Sequence, residues 1–376
     1  MPYKYLAIGV LIILIAALYF RNYLPFFNNK SQFILNENEK ELAAYDKAIE
    51  LNPSYSDAYF GKGITLEELG KYDLAIESYN KVIELEPIDP DAYFNRGVTL
   101  EKLEKYDLAL ESYNKVIELN PNYPNAEFNK GNTLLYLEKY DLALKAYDKA
   151  IELNPNYANA YLNKGRTLHE LGEYDLALKF YDKAIKLNVN DFKIYFNKGE
   201  TLEEIEKYDL AIESYNKAIE LEPNDIDIYL NKGRVLYILR RYNLAFEAYN
   251  KAVELDSNNS EAYINQGAAL GMLGKYELAL ESQNKALELN PEISSLLYLN
   301  KGATLYKLGK YQLALDMYEK VIELNPNDDK AHFNKAITLE ELGKYDLAIE
   351  SYNTALEINP DYSEAKARKQ AILDGT

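Results

Sequence analysis

The eleven residues Lys71-Tyr72-Asp73-Leu74-Ala75-Ile76-Glu77-Ser78-Tyr79-Asn80-Lys81 return in altered form from Lys105, Lys139, Glu173, Lys207, Arg241, Lys275, Lys310 and Lys344. Every step is 34 residues except the 35 from Lys275 to Lys310. A fixed period of this size specifies a stack of similar units, each packed on its neighbours, instead of one closed core. The period occupies nearly all of the 376 residues, so no segment of domain size is left for a separate catalytic fold.

Each unit reads as two helices. In the first full unit one helix runs from Asp57 to about Leu69, Gly70 supplies a helix-ending turn, and a second runs from about Tyr72 to Leu85. Glu86-Pro87 closes the unit, because proline cannot continue a helix and disfavours helical geometry before it. Val189 and Ser257 replace that proline in two units, and looser turns are expected there. Full units begin near residues 56, 90, 124, 158, 192, 226, 260, 295 and 329. The extra residue falls in Pro291-Glu292-Ile293-Ser294-Ser295, a connection where insertion is cheap.

These positions resemble the tetratricopeptide repeat. In the second full unit the residues that carry the likeness are Tyr93, Gly97, Leu100, Ala109, Tyr113 and Pro121. Gly97 recurs as Gly63, Gly131, Gly165, Gly199, Gly233, Gly267 and Gly302, with Ala336 last, and an alanine matches Ala109 in every full unit. One departure is constant: the leucine that the family places before that glycine is Lys or Arg here, or Gln266. The resemblance runs over residues 37–373 and implies an all-α solenoid of helix–turn–helix units wound as a right-handed superhelix.

The expected layout is a transmembrane anchor over 5–24, a juxtamembrane linker over 25–36, an N-terminal half repeat over 37–55, nine repeats over 56–362, and a polar capping helix and tail over 363–376. Most tyrosines follow the repeat register, in the columns of Tyr72, Tyr79 and Tyr59. They read as inter-helix packing residues and not as a stacking platform for bases. The half repeat lacks a first helix, and Phe26, Phe27, Phe33, Ile34 and Leu35 are expected to cover the face this leaves open.

Tyr5 to Phe20 is uncharged and rich in Leu and Ile, with Lys4 and Arg21 at its flanks and tyrosines near both ends. As a helix it would span about 24–30 Å, enough for a bilayer core. Bulky Leu18, Tyr19 and Phe20 stand where a signal peptidase needs small residues, which favours a retained single-pass anchor over a cleaved signal. Lys4 opposes Arg21 and Lys30, so orientation is weakly biased, toward repeats outside the cytoplasm.

Catalytic constellations are absent from the sequence: it has no glycine-rich phosphate loop, no nucleophile elbow, no cysteine and only two distant histidines, His169 and His332. No cofactor or metal is expected. Adjacent carboxylates such as Glu67-Glu68 and Glu203-Glu204 point about 100° apart on a helix and read as a solvated face. The net charge of −18 argues against nucleic acid.

The resemblance places first helices on the concave face of the superhelix. Two positions before the recurrent glycine stand Asn95, Asn129, Asn163, Asn197, Asn231, Asn265, Asn300 and Asn334, with Gly61 as the exception. Stacked amides, each a donor and an acceptor, suit the backbone of an extended peptide, so these eight are the candidate peptide-binding ladder. Asn132, Arg166, Lys193, Glu200 and Arg234 vary between units and are the candidate specificity residues, with His169, Tyr136 and Tyr237 nearby. The carboxylate clamp of chaperone-tail receptors is not expected, because Phe60, Phe94, Phe128 or Phe196 stands where its lysine belongs. The basic residue beside each glycine, such as Lys62 or Lys198, reads as a stem over apolar surface with its head on a neighbouring helix's carboxylate.

The expected function is a non-enzymatic, membrane-anchored scaffold that binds a protein or an extended peptide. The alternative is a structural protein that assembles through repeat-to-repeat contacts.

Overall fold

The computed structural model describes residues 37–290 and 295–375, and every regular element among them is an α-helix. Two compact units divide the chain after Glu173. The first holds α1 (37–51), α2 (Ser56–Glu68), α3 (Tyr72–Leu85), α4 (Pro90–Lys102), α5 (Tyr106–Leu119), α6 (Pro124–Tyr136), α7 (Tyr140–Leu153) and α8 (Ala158–Glu170). The second holds α9 (Tyr174–Leu187), α10 (Phe192–Glu204), α11 (Tyr208–Leu221), α12 (Ile226–Ile238), α13 (Tyr242–Leu255), α14 (Ser260–Met272) and α15 (Tyr276–Leu289). It continues with α16 (Ser295–Lys307), α17 (Tyr311–Leu324), α18 (Asp329–Glu341), α19 (Tyr345–Ile358) and α20 (Ser363–Leu373).

The helix breaks have local causes. After each first helix the chain turns through one left-handed residue, and the amide after it bonds back to the last turn, as Lys71 N does to Leu66 O at 2.8 Å. Gly70 takes this conformation with φ of 69°, while Glu104, Glu138, Glu206 and Arg240 occupy the same column at 55–58°. Where the residue before a first helix is described, the helix starts in one of two ways. Asp89, Asp191, Asp225, Asn259 and Asp328 cap the free amides with their side chains. Before α2, α6, α8 and α20 the position holds a tyrosine, and Tyr123, Tyr157 and Tyr362 pack their rings 4.5–5.2 Å from Phe94, Phe128 and Phe333. The looser turns expected at Val189 and Ser257 are not found. Residues 188–191 and 256–259 turn as 86–89 do, because the Asp191 and Asn259 caps define the next helix start without the proline.

The core repeats with the sequence. Tyr113 of α5 is fully buried, and its ring lies where a side chain at Gly97 of α4 would be: a Cβ there would come within 2.6 Å of it. The same contact joins Gly63 to Tyr79, Gly131 to Tyr147, Gly199 to Tyr215, Gly233 to Tyr249 and Gly302 to Tyr318. Ala109 and its counterparts are wholly buried, which brings the paired helices close. The tyrosines of this column are therefore packing residues, as the register implied. Gly61, which interrupts the asparagine column, has the same explanation, since a Cβ there would meet the Tyr45 ring at 2.5 Å.

Within the first unit α2 touches α4, α4 touches α6 and α6 touches α8, while no comparable contact joins α3, α5 and α7. Within the second unit the same holds for α10, α12, α14, α16 and α18. Within each unit, first helices thus form an inner layer and second helices a splayed outer one. The basic residues beside the glycines tie the layers, although mostly to aspartate: Lys62 pairs with Asp46 at 2.6 Å, Lys198 with Asp182 at 2.7 Å and Lys335 with Glu319 at 2.9 Å. At the far end α20 packs on α19 through buried Ala365, and most of its other residues are exposed.

Among the described residues no helix is long and apolar enough to cross a membrane. The anchor expected over 5–24, the aromatic cover expected from Phe26 to Leu35 and the inserted connection at 291–294 lie outside the described residues.

Candidate functional site

The inner layer carries a polar seam along its floor. In the first unit the Tyr79 hydroxyl donates to Glu67 at 3.2 Å, Thr99 of the next first helix donates to the same carboxylate at 3.0 Å, and Lys102 pairs with it at 2.6 Å. One repeat on, Tyr113 donates to Glu101 at 2.9 Å and Thr133 donates to its other oxygen. In the second unit Tyr215 donates to Glu203 at 3.3 Å, and Arg234 closes an ion pair on it. This corrects the solvated-face reading of the carboxylate pairs. Glu203 is buried and Glu67 partly so, while only their neighbours Glu204 and Glu68 are exposed. Burial pushes the Glu101 and Glu203 carboxyls above their ordinary range and the tyrosine hydroxyls beside them well above theirs. Held protonated, each tyrosine remains a donor to its glutamate, so the seam is a structural brace between successive first helices.

The third repeat departs from this pattern. Leu135 replaces the glutamate, so Tyr147 donates instead to Asn132 at 2.9 Å, and Asn163 donates to the same Asn132 oxygen at 2.7 Å. The missing carboxylate leaves a cleft of about 450 Å³ between α6 and α8, walled by Glu101, Asn132, Tyr136, Tyr140, Asn163 and Arg166. Tyr136 is 70% exposed, with its ring stacked on Tyr106 at 5.6 Å. Arg166 lies one repeat beyond Asn132 in the same column and has no ion-pair partner among the described residues.

The structure thus gathers Asn132, Asn163 and Arg166 around one cleft and leaves the other predicted residues elsewhere. In the first unit Asn95 and Asn129 are half-buried, and Asn95 donates to Asp91 O at 2.9 Å. In the second unit Asn197 donates to Lys193 O at 2.6 Å. Asn231 accepts from Arg234 at 2.5 Å, so Arg234, unlike Arg166, is committed to internal bonds. Asn265 and Asn334 are half-buried, and Asn300 borders a second cleft of about 390 Å³ over α14 and α16. Glu200 is half-buried and influences Tyr215; Lys193 is exposed at the start of α10. Two features escaped the sequence reading. One is Gln283, the single break in the Tyr79 column. The other is a row of half-exposed leucines on the second helices, Leu74, Leu108 and Leu142 in the first unit. Both are visible as columns of the repeat once exposure is known.

Among the described residues no cluster of His, Asp or Glu has the form of a metal site. Within each unit, paired helices stacked edge to edge, with the first helices together in one layer, define an α-solenoid. Sequence profiles of the tetratricopeptide repeat match residues 44–77, 90–123, 128–191, 192–225, 214–247, 248–281 and 299–363, and a further repeat profile matches 63–104. The chain belongs to the tetratricopeptide repeat family. An uncharacterized protein of Methanocaldococcus jannaschii is 54% identical over 39 residues, which are 10% of this chain and 45% of that protein's length. Among solved structures, the C-terminal part of a repeat protein from Cytophaga hutchinsonii superposes with a TM-score of 0.52 at 22% identity, covering 62% of this chain and 96% of that one. MamA is similar at a TM-score of 0.43 and 26% identity over 46% of this chain and 94% of its own. YrrB, described as a repeat protein with an unusual peptide-binding site, is similar at 0.40 and 26% over 60% and 99%.

Proposed function

We propose that this chain is a non-enzymatic scaffold or adaptor that binds a protein or extended peptide along the layer of first helices. The observation that carries the reading is the cleft between α6 and α8. There an arginine without an ion-pair partner among the described residues, two amide side chains and an exposed stacked tyrosine converge on open space. This is the mixture that recognises a peptide: amides for its backbone, an aromatic face for an apolar side chain and a guanidinium for a carboxylate. The asparagine column extends the same chemistry to neighbouring repeats. Residues 5–24 would hold the scaffold at a membrane as a single-pass anchor, a reading supported by the uncharged, Leu- and Ile-rich run from Tyr5 to Phe20.

A photo-crosslinking amino acid placed at Tyr136, in the cleft, and separately at Asp107, on the outer helix α5, tests the proposal in the native cell. A dominant adduct is expected from position 136 and not from 107, lost when Asn163→Ala and Arg166→Glu are combined. Equal adducts from both positions would overturn the groove reading. Resistance of the full chain to alkaline extraction from membranes, and its loss when residues 5–24 are deleted, tests the anchor.

One observation favours the second reading, self-assembly. In the second unit Leu176, Leu210, Leu244, Leu278, Leu313 and Leu347 form a half-exposed leucine row on the outer helices. A regular apolar row is suited to pairing with a copy of itself.

A further inference from the structure

The seventh repeat is built differently from the others in a way that opens a specific pocket. Elsewhere in the second unit a buried tyrosine fills the space beneath the recurrent glycine, as Tyr249 does under Gly233 and Tyr318 under Gly302. In the seventh repeat that tyrosine is Gln283, and the position twelve residues before it, a glutamate in the fifth and ninth repeats, is Gly271. Both partners of the tyrosine–glutamate brace are therefore missing together. A Cβ at Gly271 would meet nothing within 4 Å, and the nearest atom to one at Gly267 is the flexible Cγ of Gln283 at 3.1 Å.

The result is the cleft of about 390 Å³ over α14 and α16. Tyr237, Ala268, Met272, Tyr276 and Ala303 give it apolar and aromatic walls, and Gln283 lies in its floor. Gln283 is only 2% exposed, and its Oε1 is the one buried side-chain oxygen or nitrogen among the described residues with no hydrogen-bond partner. The orientation of its amide follows from its neighbours. Gln283 Nε2 donates to the Thr304 hydroxyl oxygen at 3.0 Å, and that hydroxyl donates to Asn300 O at 2.9 Å. The carbonyl oxygen is thereby left facing away from Thr304 and unpaired. Buried acceptors are almost always paired, and one that is not is destabilising until a donor reaches it.

We propose that this pocket receives a tyrosine side chain of an extended peptide partner, with the phenol hydroxyl donating to Gln283 Oε1. The aromatic walls match the ring, and the missing element of the chain's own brace was itself a tyrosine hydroxyl. The terminal torsion of glutamine is soft, so a small rotation turns the oxygen toward the entering group. The proposal rests on the first-helix layer being a binding surface, and it names the residue class that layer selects at the seventh repeat.

The probe is p-cresol, the tyrosine side chain as a free molecule, with toluene as the same ring without its donor. Saturation-transfer NMR on the full chain measures both, each against a Gln283→Tyr variant. That substitution restores the residue found at this position in the flanking repeats, so it folds and fills the pocket. A Gly271→Leu variant introduces the side chain that the third repeat carries in this column at Leu135, blocks the mouth and leaves Gln283 in place. The expected result is saturable p-cresol binding about three- to tenfold tighter than toluene, although toluene is the more hydrophobic, with both variants abolishing it. Equal binding of the two probes, no saturable binding, or binding that survives Gln283→Tyr would overturn the proposal. Because the probe needs no peptide partner, its failure is separable from failure of the cross-linking at Tyr136.

Discussion

Replacing Glu104 and Glu138 with glycine in the first unit, and Glu206 and Arg240 in the second, should make each unit more stable. All four hold the left-handed turn after a first helix, with φ of 56°, 55°, 57° and 58°. Where the same column carries glycine, as at Gly70, Gly172 and Gly274, φ opens to 69°, 75° and 72°. A Cβ confines the turn, and that conformation costs an L-residue about 1–2 kcal/mol. Glycine removes this cost but has about 0.5–1 kcal/mol more chain entropy to lose on folding. The net gain is about 0.5–1 kcal/mol at each site, or about 1–2 kcal/mol for each double variant, since the sites lie in different repeats and should add. The lost side chains subtract little, because all four are exposed and none forms a salt bridge among the described residues. Urea unfolding followed by circular dichroism at 222 nm reads the change as a higher midpoint at unchanged slope. Doubles no more stable than the parent chain would refute the strain argument. Gly172→Ala is the opposite control and should destabilise.

Gly131→Val drives a branched side chain into the buried Tyr147 ring, to which even a Cβ would lie at 2.6 Å, and should cost about 3 kcal/mol by denaturation. Gly267→Ala, facing the flexible Gln283, should be nearly neutral. Burial raises the Glu101 carboxyl above its unfolded value, so its contribution to stability is complete below the unfolded range near about 4.3 and is lost as pH rises through the higher folded value. The stability of the parent chain relative to Glu101→Gln should therefore fall as pH rises above about 4.3; a flat or rising difference would contradict the burial assignment. Leu108→Glu with Leu142→Glu, both half-exposed, should change stability by under about 0.5 kcal/mol. If the outer leucine row mediates self-assembly, light scattering of that variant should show the assembly lost.

Much of the site was legible because the repeat reports position. The glycine and tyrosine columns can each be read as packing positions from the repeat register, and the asparagine column can be placed on the first helices, but that each glycine faces a tyrosine ring is shown by the fold. Asn132 and Arg166 were legible as variable residues in that layer. What escaped was their state. Arg166 and Arg234 occupy one column, yet only Arg234 meets a buried glutamate, because the first-helix position 31 residues before it is Glu203, whereas the same position before Arg166 is Leu135. Glu67 and Glu203 looked solvated because adjacency within a helix says nothing of the tyrosine and threonine that reach them from other helices.

The sequence by itself determined the helix pairs, their turns and the order of the stack, since these follow from glycine, proline, capping residues and a period that operate within one repeat. Only the tertiary structure decided which polar groups are paired and which are left over. A hydrogen bond of the seam joins residues about 12 to 35 positions apart, and whether it forms depends on both partners being present across a helix interface. Gln283 shows the difference: in the sequence it is one substitution in a column of tyrosines, and in the fold it is a buried acceptor beneath an open pocket.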